Sequence, residues 1–182
     1  MGLTVPRAGV SLPGERLSAL RLDRFRNLQP LRLESLENHS CVFLIGENGQ
    51  GKTNLLEAIY LLCFGGSFRT RQDADLIKTG ANESVVSGSF TNHDDRNEGH
   101  DLDREVTIRM LRDHAREIRV DGSRVSDRGE VIGKVPCILF SHDDLRAVEG
   151  PPAELRRFFD QTAALSDQEA LPAIRRYRRV LA

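Results

Sequence analysis

Apolar and polar residues alternate from Leu17 to Leu22 and again from Leu31 to Leu36, with a break at Asn27 to Pro30 between them. A period of two sends successive side chains to opposite faces, so both stretches predict half-buried antiparallel strands. Cys41 to Ile45 departs from that rhythm with five apolar residues in a row, which predicts a strand covered on both faces. From Leu55 the spacing turns helical through Leu56, Ile59, Leu62 and Cys63, and Gly65-Gly66 ends the helix. Asp73 to Lys78 predicts one more short helix. A meander of strands is expected over Ser84 to Phe90, Glu105 to Leu111 and Arg116 to Val120, with a tight turn at Asp121-Gly122. Val135 to Phe140 predicts a second buried strand. Beyond Pro152 the pattern is helical, with Leu155, Phe158, Phe159 and Thr162 on one face beside Arg156 and Arg157. Ser166 and Glu169 fit a capping box for a last helix, whose apolar stripe is Leu171, Ile174, Tyr177 and Leu181.

Composition narrows the class. The 182 residues are 39% hydrophobic and 29% charged, an ordinary balance for one domain, or for one domain and the start of a second. No apolar run approaches the roughly 18 residues of a membrane span. Met1 to Arg16 has Pro6, Pro13 and three glycines but no apolar core, so it reads as a loose extension and not a signal peptide. A net charge of -1 gives no global field toward nucleic acid, and any such binding needs a local patch. Cys41, Cys63 and Cys137 form no CxxC pair, which argues against a disulfide framework or zinc site and for a reducing, cytoplasmic compartment. Each lies beside apolar residues and reads as a buried structural thiol. His39, His93, His100, His114 and His142 have no ligand spacing. The acidic stretch Asn92 to Asp103 reads as a solvated loop without the ordered alternation of a calcium site.

Candidate chemistry sits between the apolar run and the first helix. Gly46, Gly51, Lys52 and Thr53 form G-x-x-x-x-G-K-[ST] within Gly46-Glu47-Asn48-Gly49-Gln50-Gly51-Lys52-Thr53-Asn54. Glycines let successive N–H groups turn inward around a phosphate, and the helix N-terminus adds its own unpaired donors. In such a loop the lysine reaches the β- and γ-phosphates of ATP and the Thr53 hydroxyl ligates Mg²⁺. The pattern alone leaves the class of NTPase open.

The segments "LRLDRFRNLQPLRLE", "GENGQGKTNLLEAIYLL", "GGSFRTRQDADLI" and "ILFSHDDLRAVEGPPAELRRFFDQ" together resemble the RecF family of SMC-like, ABC-type ATPases, from about Leu17 onward. "ALPAIRRYRRVL" resembles the start of that family's helical arm. The resemblance implies an α/β P-loop NTPase core of ABC/SMC type with an antiparallel β meander. It divides the chain into an extension (1–16), an N-terminal lobe (17–150) and the cut-off start of the arm (151–182). It implies that Arg26-Asn27 approaches the nucleotide from the side, where a plain surface turn is the alternative. It also implies that Ser141, His142, Asp143 and Asp144 occupy the Q-loop, although the family usually has proline where His142 stands. Asp143-Asp144 does not end the apolar run Ile138-Leu139-Phe140 directly, so it is not taken as a Walker B pair. No Walker B pair or S-x-G-Q-type signature occurs in these 182 residues, and the expectation is an N-terminal part that binds ATP without turning it over. The family's full-length proteins are implied to be ATP-dependent homodimers and weak DNA-dependent ATPases, clamping DNA at gaps or junctions with RecO and RecR, and without membrane. Arg69, Arg71, Arg175, Arg176, Arg178 and Arg179 are the DNA-contact candidates. A transporter-type ABC ATPase and a non-catalytic truncated regulator are the competing readings, separated by binding to DNA and by sequence beyond residue 182.

Overall fold

The structure, a computed structural model, describes residues 2–4, 14–93, 103–113, 115–126, 131, 135, 137–140, 151–166 and 170–181. In chain order its strands are β1 (Gly2–Thr4), β2 (Gly14–Asp23), β3 (Leu31–Leu33), β4 (Phe43–Ile45), β5 (Glu83–His93), β6 (Arg104–Leu111), β7 (Arg116–Val120) and β8 (Ser123–Val125). The helices are α1 (Lys52–Phe64), α2 (Pro152–Ser166) and α3 (Ala170–Leu181), with short 3₁₀ turns at Leu36–Asn38 and Asp73–Leu76. None of the described helices is long and apolar enough to cross a membrane.

Six strands form one antiparallel sheet in the order β3-β2-β5-β6-β7-β8. Its register stacks apolar residues into rows. Leu22 pairs with Val86, Val86 with Ile108, and Ile108 with Ile118. The next row runs Leu20, Gly88, Val106 and Val120. These side chains are buried beside Leu55, Leu61 and Leu62 of α1, while intervening positions such as Arg109 and Arg119 are exposed. One face inward and one face wet is what period-two alternation produces in an antiparallel sheet. Gly88 lets helix and sheet approach, since a Cβ there would lie 2.5 Å from Leu62 Cδ1.

Several expectations change. Only Phe43–Ile45 of the run Cys41–Ile45 is a strand, and its partner is β1. Leu44 packs against the core, whereas Phe43 and Ile45 are 53% and 57% exposed, and Cys41 is exposed too. A strand is covered on both faces only when layers flank both, and here α1 and the six-stranded sheet serve one. Val135–Phe140 is likewise no buried strand over its described residues: Ile138 and Phe140 are 89% and 84% exposed. Cys137 is half-buried, and the Cys63 thiol hydrogen-bonded to it holds it below the usual thiol range, against the upward push of burial. The strand expected over Leu31–Leu36 stops at Leu33 and gives way to a 3₁₀ turn. The extension is not wholly loose, because Gly2–Thr4 pairs with β4 and β2 begins at Gly14. Pro152–Ser166 and Ala170–Leu181 are helical as expected, and they pack on each other. Leu155, Phe158, Phe159 and Tyr177 remain exposed. Ser166, the expected N-cap, is the last residue of α2, and the acidic stretch 94–102 and Glu169 lie outside the described residues.

Candidate functional site

The glycine loop joins β4 to α1. Gly49 and Gly51 have φ of 82° and 90°, in the left-handed region that favours glycine. Gly51 is also buried against the next layer: a Cβ there would come 2.3 Å from Leu28 Cδ2. Gly51→Ala therefore combines left-handed strain with overpacking and is expected to cost roughly 2–4 kcal/mol of stability, read as a lowered urea midpoint at unchanged slope. Lys52 opens α1 and folds back, its Nζ donating to the carbonyls of Gly46 (2.6 Å) and Glu47 (2.7 Å). The Gln50 N–H reaches Glu47 O across the loop at 3.5 Å, a long bond. Glu47, Asn48, Gln50 and Thr53 are exposed, with Thr53 the second residue of the helix.

The turn after β2 presses on this loop. Arg24 and Arg26 adopt φ of 52° and 50° on either side of the fully buried Phe25. Such left-handed backbone at non-glycine residues persists only where the surroundings over-determine it. Here Arg26 N–H donates to Leu76 O and Lys78 N–H to Arg24 O, both at 2.8 Å, and Phe25 bridges Ile77. Arg24 also pairs with Glu83 of β5 at 2.7 Å. Hydrogen bonding from Arg109, with the charges of Arg109 and Arg24, holds the Glu83 carboxyl below its ordinary range.

This turn splits the predicted Arg26-Asn27 pair. Asn27 faces the loop, its Nδ2 donating to Gly49 O at 3.3 Å. Arg26 points instead to Glu57, a fully buried carboxylate on α1. Arg26 Nε donates to Glu57 Oε2 at 2.8 Å and Nη2 to Oε1 at 2.7 Å, a bidentate pair. The Ser67 hydroxyl donates to Oε1 at 2.6 Å while accepting from the N–H groups of Arg69 and Thr70. Arg69 Nη1 adds a longer contact to Oε2 at 3.4 Å and donates to Asn54 Oδ1 at 2.7 Å. Asn54 Nδ2 in turn donates to Asn27 Oδ1 at 2.7 Å. One connected polar cluster thus links Arg26, Glu57, Ser67, Arg69, Asn54 and Asn27 to the glycine loop.

No sequence pattern singles out Glu57 or Ser67. The available signal was a carboxylate four residues before Leu61 on the helix's buried face. Of the predicted DNA contacts, Arg69 belongs to this cluster, while Arg71 and Arg176 are exposed. Arg175, Arg178 and Arg179 lie on α3. Ser141, His142, Asp143 and Asp144 lie outside the described residues. Among the described residues, no group of three or more His, Cys, Asp or Glu could hold a metal ion.

Comparison with known proteins places this geometry. Residues 16–145 match the RecF/RecN/SMC N terminal domain. The chain is 36% identical over 166 residues to the DNA replication and repair protein RecF of Chlamydia trachomatis, and 38% identical over 165 residues to that of Lactobacillus delbrueckii. Each alignment covers 91% of this chain but only 43% and 41% of the relative, so the chain spans less than half the length of the curated relatives it matches. Among solved structures, the recombination mediator protein RecF with ATP superposes with a TM-score of 0.75 at 25% identity, over 93% of this chain and 43% of that one. An SMC ATPase superposes at 0.62 and 21% identity over 80% of this chain and 98% of that one, a likeness of fold. The chain belongs to the RecF/RecN/SMC N-terminal domain family and has its head-type α/β P-loop ATPase fold.

Proposed function

We propose that this chain binds ATP at Gly46–Asn54 and serves, as part of a RecF-type protein, in DNA repair and replication. The observation that carries the nucleotide reading is the glycine loop at the N-terminus of α1, with Lys52 folded over it and Asn27 braced against Gly49. Unpaired N–H groups at a helix start and a lysine within reach suit a polyphosphate. Mg²⁺ fits the same site: Thr53 offers one hydroxyl, and a hard cation of this kind takes its other ligands from phosphate oxygens and water. The reading's test is titration of Mg-ATP into the chain beside a Lys52 variant.

The wider role is ATP-driven dimerisation that clamps DNA at gaps or junctions, with RecO and RecR as partners. It is supported by the RecF relatives. Arg71 and the α3 arginines Arg175, Arg176, Arg178 and Arg179 are the proposed phosphate contacts, since Arg69 is engaged by Asn54 and Glu57. Neutralising the four α3 arginines is expected to weaken duplex binding and to flatten its log–log salt dependence by roughly 0.9 for each phosphate that no longer meets an arginine. Fluorescence anisotropy across a salt series reads that slope. An unchanged slope would place the DNA surface elsewhere.

A further inference from the structure

The hydrogen bonds between Arg69 and the phosphate loop all run in one direction. Arg69 Nη1 donates to Asn54 Oδ1, Asn54 Nδ2 donates to Asn27 Oδ1, and Asn27 Nδ2 donates to Gly49 O. Arginine has donors only, so it fixes the amide of Asn54 with oxygen toward itself and NH₂ toward Asn27. The same logic then orients Asn27, which must present its NH₂ to the loop. The Gly49 carbonyl is drawn toward Asn27, and in a planar trans peptide the following N–H points the opposite way. That N–H belongs to Gln50 and lies across the loop toward Glu47 O, at a distance long enough to yield to an anion. The buried carboxylate of Glu57 sets the other end. With Ser67 it anchors the 67–70 turn and Arg69 itself.

We propose that Arg69, anchored by Glu57 and Ser67, is a positioning residue that acts through Asn54 and Asn27 to aim the Gln50 N–H into the phosphate loop. The inference rests on the nucleotide-binding reading above and deepens it. It gives Arg69 a role in binding a nucleoside triphosphate without touching it, and it gives the "GGSFRTR" segment a reason to sit beside the loop.

A double-mutant cycle on ATP affinity tests this. Arg69 is 43% exposed, so Arg69→Gln is compatible with folding, and a thermal melt checks it. In the otherwise native chain, Arg69→Gln is expected to weaken Mg-ATP binding about fivefold, the effect of one net hydrogen bond. Asn27→Leu breaks the relay at its last link. In that background Arg69→Gln should change ATP affinity by less than about twofold, because the relay through Asn27 to Gly49 O is gone. Equal losses in both backgrounds would show that Arg69 acts directly by charge and would overturn the proposal. So would no loss in either. If the native chain itself fails to bind Mg-ATP, the nucleotide reading fails first, and the cycle identifies that separately. Arg69→Lys retains the charge but not the planar guanidinium, whose Nη1 donates to both Asn54 and Glu57, and it should behave like Arg69→Gln. Full rescue by lysine would also count against positioning.

Discussion

Replacing Arg26 with methionine is expected to destabilise the chain by about 3–5 kcal/mol, the usual cost of leaving one member of a buried ion pair without its partner. Glu57 is fully buried and takes two of its hydrogen bonds from Arg26. Ser67 and the longer Arg69 contact remain, but they do not replace a bidentate guanidinium. The loss is a large fraction of the roughly 5–15 kcal/mol that holds a domain of ordinary stability together. Urea unfolding followed by circular dichroism measures it. Arg26→Met, Glu57→Met in combination should recover much of the loss, because removing both charges eliminates the unpaired carboxylate. A single Arg26→Met that unfolds like the native chain would mean that Glu57 is not buried as described.

The same residues mark how far the sequence could be read. The glycine loop, the helix behind it and the strands β2, β5, β6 and β7 were legible because local pattern and tertiary role agree there. Period-two alternation survives in β6 as buried Val106, Ile108 and Met110 against exposed Glu105 and Arg109. Asn27 lies against the loop while Arg26 turns to Glu57, since two left-handed residues around Phe25 turn the pair apart. No propensity rule announces that conformation at arginine. The apolar runs at Cys41–Ile45 and Val135–Phe140 were read as doubly covered from composition alone. Coverage depends on which layers lie on each side, and Phe43, Ile45, Ile138 and Phe140 are exposed. The burial of Glu57 is illegible for the opposite reason. Hydropathy patterns record what a face buries when it is apolar, and they are silent on a carboxylate buried by two arginines brought from 31 positions upstream and 12 downstream.

Lys52→Ala is the second large effect. Its Nζ spans the Gly46 and Glu47 carbonyls at the mouth of the loop, where it is half-buried and outside the hydrophobic core. Removing it should leave the sheet and α1 intact, with the melting temperature within a few degrees of native. A hydrogen bond to a charged partner contributes about 1.5–3 kcal/mol, so the variant should bind ATP roughly 10- to 100-fold more weakly. Calorimetric titration of Mg-ATP into the native chain and into Lys52→Ala tests the central claim most directly. Saturable binding by the native chain and its collapse in the folded variant is the predicted result. Equal affinity in the two proteins, or no binding by the native chain, would contradict the assignment of Gly46–Asn54 as a nucleotide site.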